Sequence, residues 1–195
     1  MLRLTSIVLI ALVSFAAQAR EKQPDIRNVA PQVGHKSVLI GSLTAGSPTY
    51  DRAAGADVSL ECSAPFTDSA NDGVHLDIIC MESIDFEPVE LMFSASGTTL
   101  ADPVLTIYCQ AIWDPSMPLD FGVAYDDDSG EGLLSAITYD MDVRFFPGDV
   151  YWVVVSTYAA GMIGNYELVA SDNLSLCSAV SVETTAWGAL KSTYR

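Results

Sequence analysis

The chain has 195 residues and is strongly acidic: 25 Asp and Glu against 9 Lys and Arg give a formal net charge of −16. No Lys or Arg lies between Arg52 and Arg144, a stretch that holds 18 acidic residues. A surface of that sign repels polyanions and attracts cations, which excludes nucleic acid as a partner and disfavours anionic lipid.

Met1-Leu2-Arg3 carries one positive charge, Leu4 to Ala16 is almost wholly apolar, and Ala17-Gln18-Ala19 is a small-x-small cleavage site. These are the parts of a secretory signal peptide over residues 1–19, with an apolar core too short to cross a bilayer comfortably. The expected location is therefore secreted or periplasmic. No later segment has the unbroken apolar length of a membrane span. About 175 residues then remain, enough for one domain with its own core.

Residues 20–35, polar and proline-containing, read as a flexible lead-in. "KSVLIGSL" (36–43) is the first expected strand, and "TAGSPTYDRAAGA" is a polar segment after it. "DVSLEC" (57–62) follows as a modest strand, "SAPFTDSANDG" as loop, and "VHLDIICM" (74–81) as a strand with Val74, Leu76, Ile78 and Cys80 on one face. Further strands are expected at 88–96, 103–110, 121–126, 134–143, 150–157 and 165–171, rich in Val, Ile, Tyr, Phe and Thr and separated by Gly, Pro, Asp and Asn. "YWVVVST" is apolar on both faces, which predicts a central strand covered on each side. No apolar i, i+3, i+4 pattern persists outside the signal peptide. The pattern predicts an all-β chain, an antiparallel β-sandwich of jelly-roll type with about 8–10 strands. It occupies residues 36–182, with a C-terminal tail over 183–195.

Four cysteines, Cys62, Cys80, Cys109 and Cys177, read in an exported chain as two disulfides. None forms a Cys-x-x-Cys pair, so zinc and thioredoxin-like chemistry are not indicated. Of three pairings, 62–177 with 80–109 is preferred. The second bridge would then join two strand cysteines, and the first the two ends of the domain.

"AYDDDSGEGLLSAI" (124–137) is the stretch with most potential chemistry. It fails as an EF-hand loop: from Asp126, the fifth, sixth and twelfth positions are Gly130, Glu131 and Ile137 rather than a ligand, Gly and Glu. Two readings remain. One is a tight turn between strands, since Asp and Ser bond nearby amides and Gly supplies positive φ. The other is a calcium site on Asp126, Asp127 and Asp128, with Glu131 or Asp102 brought near by the fold, because a cation would relieve their mutual repulsion.

Nucleophilic catalysis finds little support. The two histidines are His35 in the lead-in and His75, which alternates away from Val74 and Leu76 toward solvent, and neither Gly-x-Ser-x-Gly nor His-Glu-x-x-His occurs. A carboxylate pair for glycoside hydrolysis remains open because Asp and Glu are plentiful. Trp113, in the Pro-rich "AIWDPSMPLD", is the aromatic residue read as ligand-facing. Asn173-Leu174-Ser175 matches a glycosylation sequon, a common chance pattern. In the tail, Trp187, Leu190 and Tyr194 would line one side of a short docked helix or form an exposed tag.

"DPVLTIY" (102–108), "AYDDDSGEGLLSAI" (124–137) and "PGDVYWVVVSTYAAGMIGNYELVAS" (147–171) together resemble the bacterial pre-peptidase C-terminal domain. That family shows an Asp-Pro-x-Leu strand, then Asp-Asp-Ser-Gly and Ser-x-Ile, then a Gly-x-Tyr-Tyr-x-Val strand and a Gly-x-Tyr-x-Leu strand. The counterparts are Asp102, Pro103 and Leu105; Asp127, Asp128, Ser129, Gly130, Ser135 and Ile137; Gly148, Tyr151 and Val153; and Gly164, Tyr166 and Leu168. The match runs over roughly residues 38 to 171. It implies a jelly-roll-like sandwich without catalytic machinery, of the kind that sits beside secreted peptidases and assists secretion or binds substrate. Some relatives bind calcium or collagen-like ligands. Two departures stand out: with no peptidase domain in these residues, any accessory role would have to be played in trans, and Tyr-Tyr is replaced by Tyr151-Trp152 while Cys80 and Cys109 stand inside strands. The expected function is an exported, non-catalytic accessory or binding module for a protein or polysaccharide ligand, its Asp-rich turn read first as a structural turn and second as a calcium site. The alternative is a secreted carboxylate-based hydrolase such as a glycosidase.

Overall fold

The computed structural model describes residues 27–28, 36–55, 58–59, 62–109 and 114–177. The expected signal peptide, Trp113 and the tail over 183–195 lie outside the described residues, as does most of the lead-in. The described strands are β1 (Arg27–Asn28), β2 (Ser37–Leu43), β3 (Thr49–Tyr50), β4 (Ala53–Ala54), β5 (Thr67–Asp68), β6 (Val74–His75), β7 (Asp77–Ser83), β8 (Leu91–Phe93), β9 (Pro103–Cys109), β10 (Gly122–Asp126), β11 (Ala136–Ile137), β12 (Val150–Thr157), β13 (Gly164–Ala170) and β14 (Leu174–Leu176). Two five-stranded sheets carry the fold, in the orders β1-β2-β13-β8-β11 and β10-β9-β12-β7-β14. All described strand pairs are antiparallel. The chain is all-β, as its patterning predicts. No helix among the described residues is long and apolar enough to cross a membrane.

Strand β12 sits at the centre of the second sheet, between β9 and β7. Its odd-numbered residues Tyr151, Val153 and Val155 enter the core between the sheets, against Leu39, Leu91 and Leu168 of the first sheet. Its even-numbered Val154 and Trp152 join a second cluster on the outer face, with Tyr50, Phe66, Leu76 and Tyr108. The expectation that this strand is covered on both sides therefore holds. Residues between 49 and 76 provide the outer cover through two small antiparallel pairs, β3–β6 and β4–β5. The polar segment after the first strand is thus less polar in its role than in its composition: Tyr50, Arg52 and Ala53 are buried, as is Phe66 in the following loop.

Several strand limits shift for local reasons. Of the ten residues expected as a strand over 134–143, only Ala136–Ile137 pairs, and a 3₁₀ turn at Tyr139–Met141 ends on Asp142 in the left-handed region (φ 54°). The 57–62 strand does not form at its described positions; Ser59 instead donates its N–H to the Val123 carbonyl (2.9 Å), along the outer edge of β10. β14 goes unmarked by alternation. The lead-in is not wholly free, because Arg27–Asn28 pairs with Leu39 and Ile40.

The disulfide pairing differs from the expectation: Cys62 bonds Cys109, and Cys80 bonds Cys177, with Cα–Cα distances of 5.8 and 5.4 Å. Register forbids the 80–109 bridge. Cys80 lies on β7 opposite Trp152, while Cys109 lies on β9 opposite Tyr151. Residues directly opposite share a sheet face, so the two cysteines point to opposite faces. They also stand on strands separated by β12, about 10 Å apart and beyond the reach of a disulfide. Each therefore bonds outward. Cys177 follows β14, which pairs with β7, and the Cys177 N–H donates to the Cys80 carbonyl (3.0 Å).

A buried side-chain pair links the two sheets through the core. Tyr166 of β13 donates its hydroxyl to Asp77 Oδ2 at the start of β7 (2.6 Å), and the Ile78 N–H donates to Asp77 Oδ1 (2.9 Å). The Tyr166 ring crosses the neighbouring strand over Gly41, where a Cβ would collide with it. Gly41 is therefore needed for close approach.

Non-reducing peptide mapping should recover 62–109 and 80–177 fragments and none linking 80 to 109. Removing either bridge should cost about 2–5 kcal/mol. Burial raises the Asp77 carboxyl above the usual carboxylate range, outweighing its two donors. A raised folded-state value gives a contribution that is complete at low pH and lost as pH rises through that value. The melting temperature of the wild type minus that of Asp77→Asn should therefore grow as pH falls from neutral into the acid range. A flat difference would contradict this.

Candidate functional site

The acidic turn takes its position from the register of β10. Asp126, the last residue of β10, pairs with Leu105 of β9. The next residues run out beside the start of β9, toward Asp102. Asp126 is buried, and its Oδ2 accepts the N–H groups of Ser129 (3.1 Å) and Ala136 (2.7 Å). One carboxylate thus closes the turn and anchors the first residue of β11. Gly130 donates its N–H to the Leu134 carbonyl (2.7 Å), so closely that a side chain at Gly130 would strike that carbonyl. Buried Ser135 donates its hydroxyl to the Pro103 carbonyl, tying the turn to β9. Asp126, Gly130 and Ser135 are thereby committed to holding the connection.

Asp127 and Asp128 remain outside this arrangement. Asp127 Oδ2 accepts the Tyr125 hydroxyl (3.2 Å), and Asp128 is exposed. Asp102 has a left-handed backbone (φ 49°), and its carbonyl accepts the Tyr158 N–H (2.9 Å). Partial burial and then the negative charges of Asp127 and Asp128 raise its carboxyl, while Arg52 pulls it down. The structure thus brings Asp102, Asp127 and Asp128 into electrostatic reach of one another. Asp126 is spent on amides, and Glu131 is exposed further round the turn. Among the described residues, no group of three or more His, Cys, Asp or Glu side chains is placed to hold a metal.

Arg52 escapes notice in the sequence. Its exposure is 2%, and its guanidinium lies over the rings of Tyr125 and Tyr158, at 5.6 and 5.2 Å from their centroids. Nη1 donates to the Tyr125 hydroxyl and to the Ala53 carbonyl (3.4 Å), and Nη2 donates to the Tyr158 carbonyl (3.5 Å). Nε has no partner among the described residues. A relay therefore runs from the buried guanidinium through Tyr125 Oη to Asp127. Burial pushes the Tyr125 hydroxyl up to about 12. The one available signal is compositional: Arg52 is the last basic residue before the long acidic stretch.

His75 is half-buried, with Nδ1 3.1 Å from the Ser47 carbonyl, rather than turned freely to solvent. Asn173 of the sequon is buried, and its amide donates to Asp85 Oδ1 (3.0 Å) and the Glu87 carbonyl (3.3 Å), which makes it a structural residue. No family model matches the sequence, and neither the curated proteins nor the solved structures compared with it include a significant match.

Asp126→Ala strands two amides that the carboxylate now satisfies and should lower stability by about 2–3 kcal/mol in denaturant titration. Asp128→Asn, at an exposed position, should change stability by less than about 0.5 kcal/mol. Equal effects would contradict the division of labour in the turn.

Proposed function

We propose that the chain is an exported, non-catalytic β-sandwich serving as an accessory or binding module, of the type that the resemblance to pre-peptidase C-terminal domains implies. The observation that carries this reading is the work done by the motif residues. Ser135 fastens the turn to Pro103, the Tyr151 hydroxyl accepts the Phe146 N–H (2.9 Å), and Tyr166 bonds Asp77 across the core. The shared pattern is thus a signature of architecture rather than of a reaction centre, and function falls to surfaces around it. Two disulfides in so acidic a chain suit an oxidising exterior. Calcium belongs to this reading as a weakly held stabilising ion drawn to Asp102, Asp127 and Asp128, which do not form a preformed site. Three carboxylates supply fewer oxygens than its usual six to eight, so water completes the shell and affinity is low.

The purified chain should turn over neither peptides nor glycans. Turnover lost on Asp102→Asn/Asp127→Asn would replace this reading with the carboxylate-based hydrolase. Calcium at about a hundredfold excess over its Kd should add about 2.7 kcal/mol of stability, more than magnesium or sodium chloride at matched ionic strength. Equal shifts from all three would remove the ion and leave the module.

A further inference from the structure

At the end of the sandwich opposite the acidic turn, two loops expose apolar side chains between carboxylates. Ile84 is 70% exposed, Phe86 39% and Phe146 44%. Phe86 and Phe146 stack, with centroids 4.7 Å apart and planes 27° from parallel, and the Arg144 guanidinium lies over Phe86 (5.4 Å). The loops are fixed to each other: Pro88 and Arg144 form a β-bridge, Val89 donates its N–H to the Val143 carbonyl (2.8 Å), and Arg144 Nη1 donates to the Phe86 carbonyl (2.8 Å). Beneath them Phe145 stacks on Tyr151 at 3.9 Å, and the Tyr151 hydroxyl holds the Phe146 amide. The exposed pair is therefore preorganised, and little side-chain freedom is left to lose on binding.

We propose that this surface docks a segment of a partner protein that presents an aromatic or aliphatic side chain flanked by lysine or arginine. This deepens the reading of the chain as a binding module and rests on it. Exposed apolar residues gathered in one place mark interaction sites, and rigid aromatics are the usual anchors. Charge then selects the occupant. Arg144 is neutralised by Asp142 (Nη2–Oδ1 2.8 Å), whereas Glu87 and Asp149 are exposed beside the two phenylalanines and form no ion pair among the described residues. A second copy, at net charge −16, would bring the same acidic rim against itself. Sugar stacking calls for an open ring face, but Phe86 is engaged by Phe146 and Arg144. A cationic, apolar segment satisfies both the anchor and the rim.

The test uses the full disulfide-bonded chain and a short fluorescent peptide alternating Lys with Phe or Leu, read by anisotropy. Controls are oligolysine of equal charge and a version with Glu replacing Lys. The wild type should bind the first peptide at least about tenfold more tightly than either control. Phe86→Ser/Phe146→Ser, and separately Ile84→Ser, should each weaken binding, about tenfold for the double variant, with melting temperature followed to confirm folding. Glu87→Lys/Asp149→Lys should weaken it with the apolar residues intact and flatten its salt dependence. Equal binding of oligolysine, binding unchanged in folded variants, or capture of a neutral oligosaccharide at this patch instead would overturn the proposal. Cleavage of the peptide by the wild type would overturn the module reading as well.

Discussion

The register of β12 between β9 and β7 is the constraint on which the rest depends. With Tyr151 opposite both Cys109 and Met81, and Trp152 opposite both Tyr108 and Cys80, one strand assigns a face to every residue of the central sheet. A shift of one residue would exchange the two faces. It would send Val153 and Val155 away from the first sheet. The disulfides record this register rather than create it. They leave opposite faces and reach opposite edges, Cys109 toward the segment beside β10 and Cys80 toward the end of β14.

A sheet buried on both faces has to be covered twice, and the second cover explains the unusual placement of charge. The residues between 49 and 76 are too few and too polar to form another sheet of full length, so they spread Tyr50, Phe66 and Leu76 over the outer face and carry Arg52 in with them. A buried guanidinium without a paired carboxylate is costly unless its donors and its charge are otherwise met. Two tyrosine rings, three hydrogen-bond acceptors and the nearby Asp102 and Asp127 supply that compensation. The same arrangement explains why Asp127 and Asp128 tolerate each other at the turn, since a cation belonging to the chain already sits behind them.

The strands whose side chains decide their own environment were legible in the sequence. β12 is apolar throughout and β9 and β13 are long, so each lies within a residue of its expected limits, while the alternating 74–81 run is split into β6 and a β7 that starts three residues late and ends at Ser83. The elements that failed depend on neighbours far away in sequence. Ala136–Ile137 stops pairing because β8, its only partner, is three residues long and the backbone turns at Tyr139. The cysteine pairing required the order of strands, which periodicity does not contain. At the turn, local chemistry identified Asp126, Ser129 and Gly130 as a tight connection. It did not reveal that Asp126 alone would take the amides, because Ala136, ten residues on, provides one of them. Arg52 was invisible as a buried residue because its neighbours are Asp, Ala and Gly, and what buries it comes from β10 and the end of β12.

Acidic residues abound at both ends of β12, yet the two ends use them differently. After Thr157 the chain meets Asp102 and the turn at 126–136, where Asp126 satisfies the loop's own backbone and Arg52 answers the surplus charge from within. About 23 Å away, before Val150, the carboxylates of Glu87 and Asp149 hold no backbone amide among the described residues, and Arg144 is already paired with Asp142. The first end is largely self-contained: Asp126 and most donors of Arg52 are matched, and an added ion has only leftover oxygens to bind. The second leaves both apolar surface and negative charge facing outward on a scaffold braced by Tyr151. On the proposed binding role, a partner would be met where the chain's own chemistry is left unfinished, which favours the phenylalanine end as the docking surface and the aspartate turn as framework.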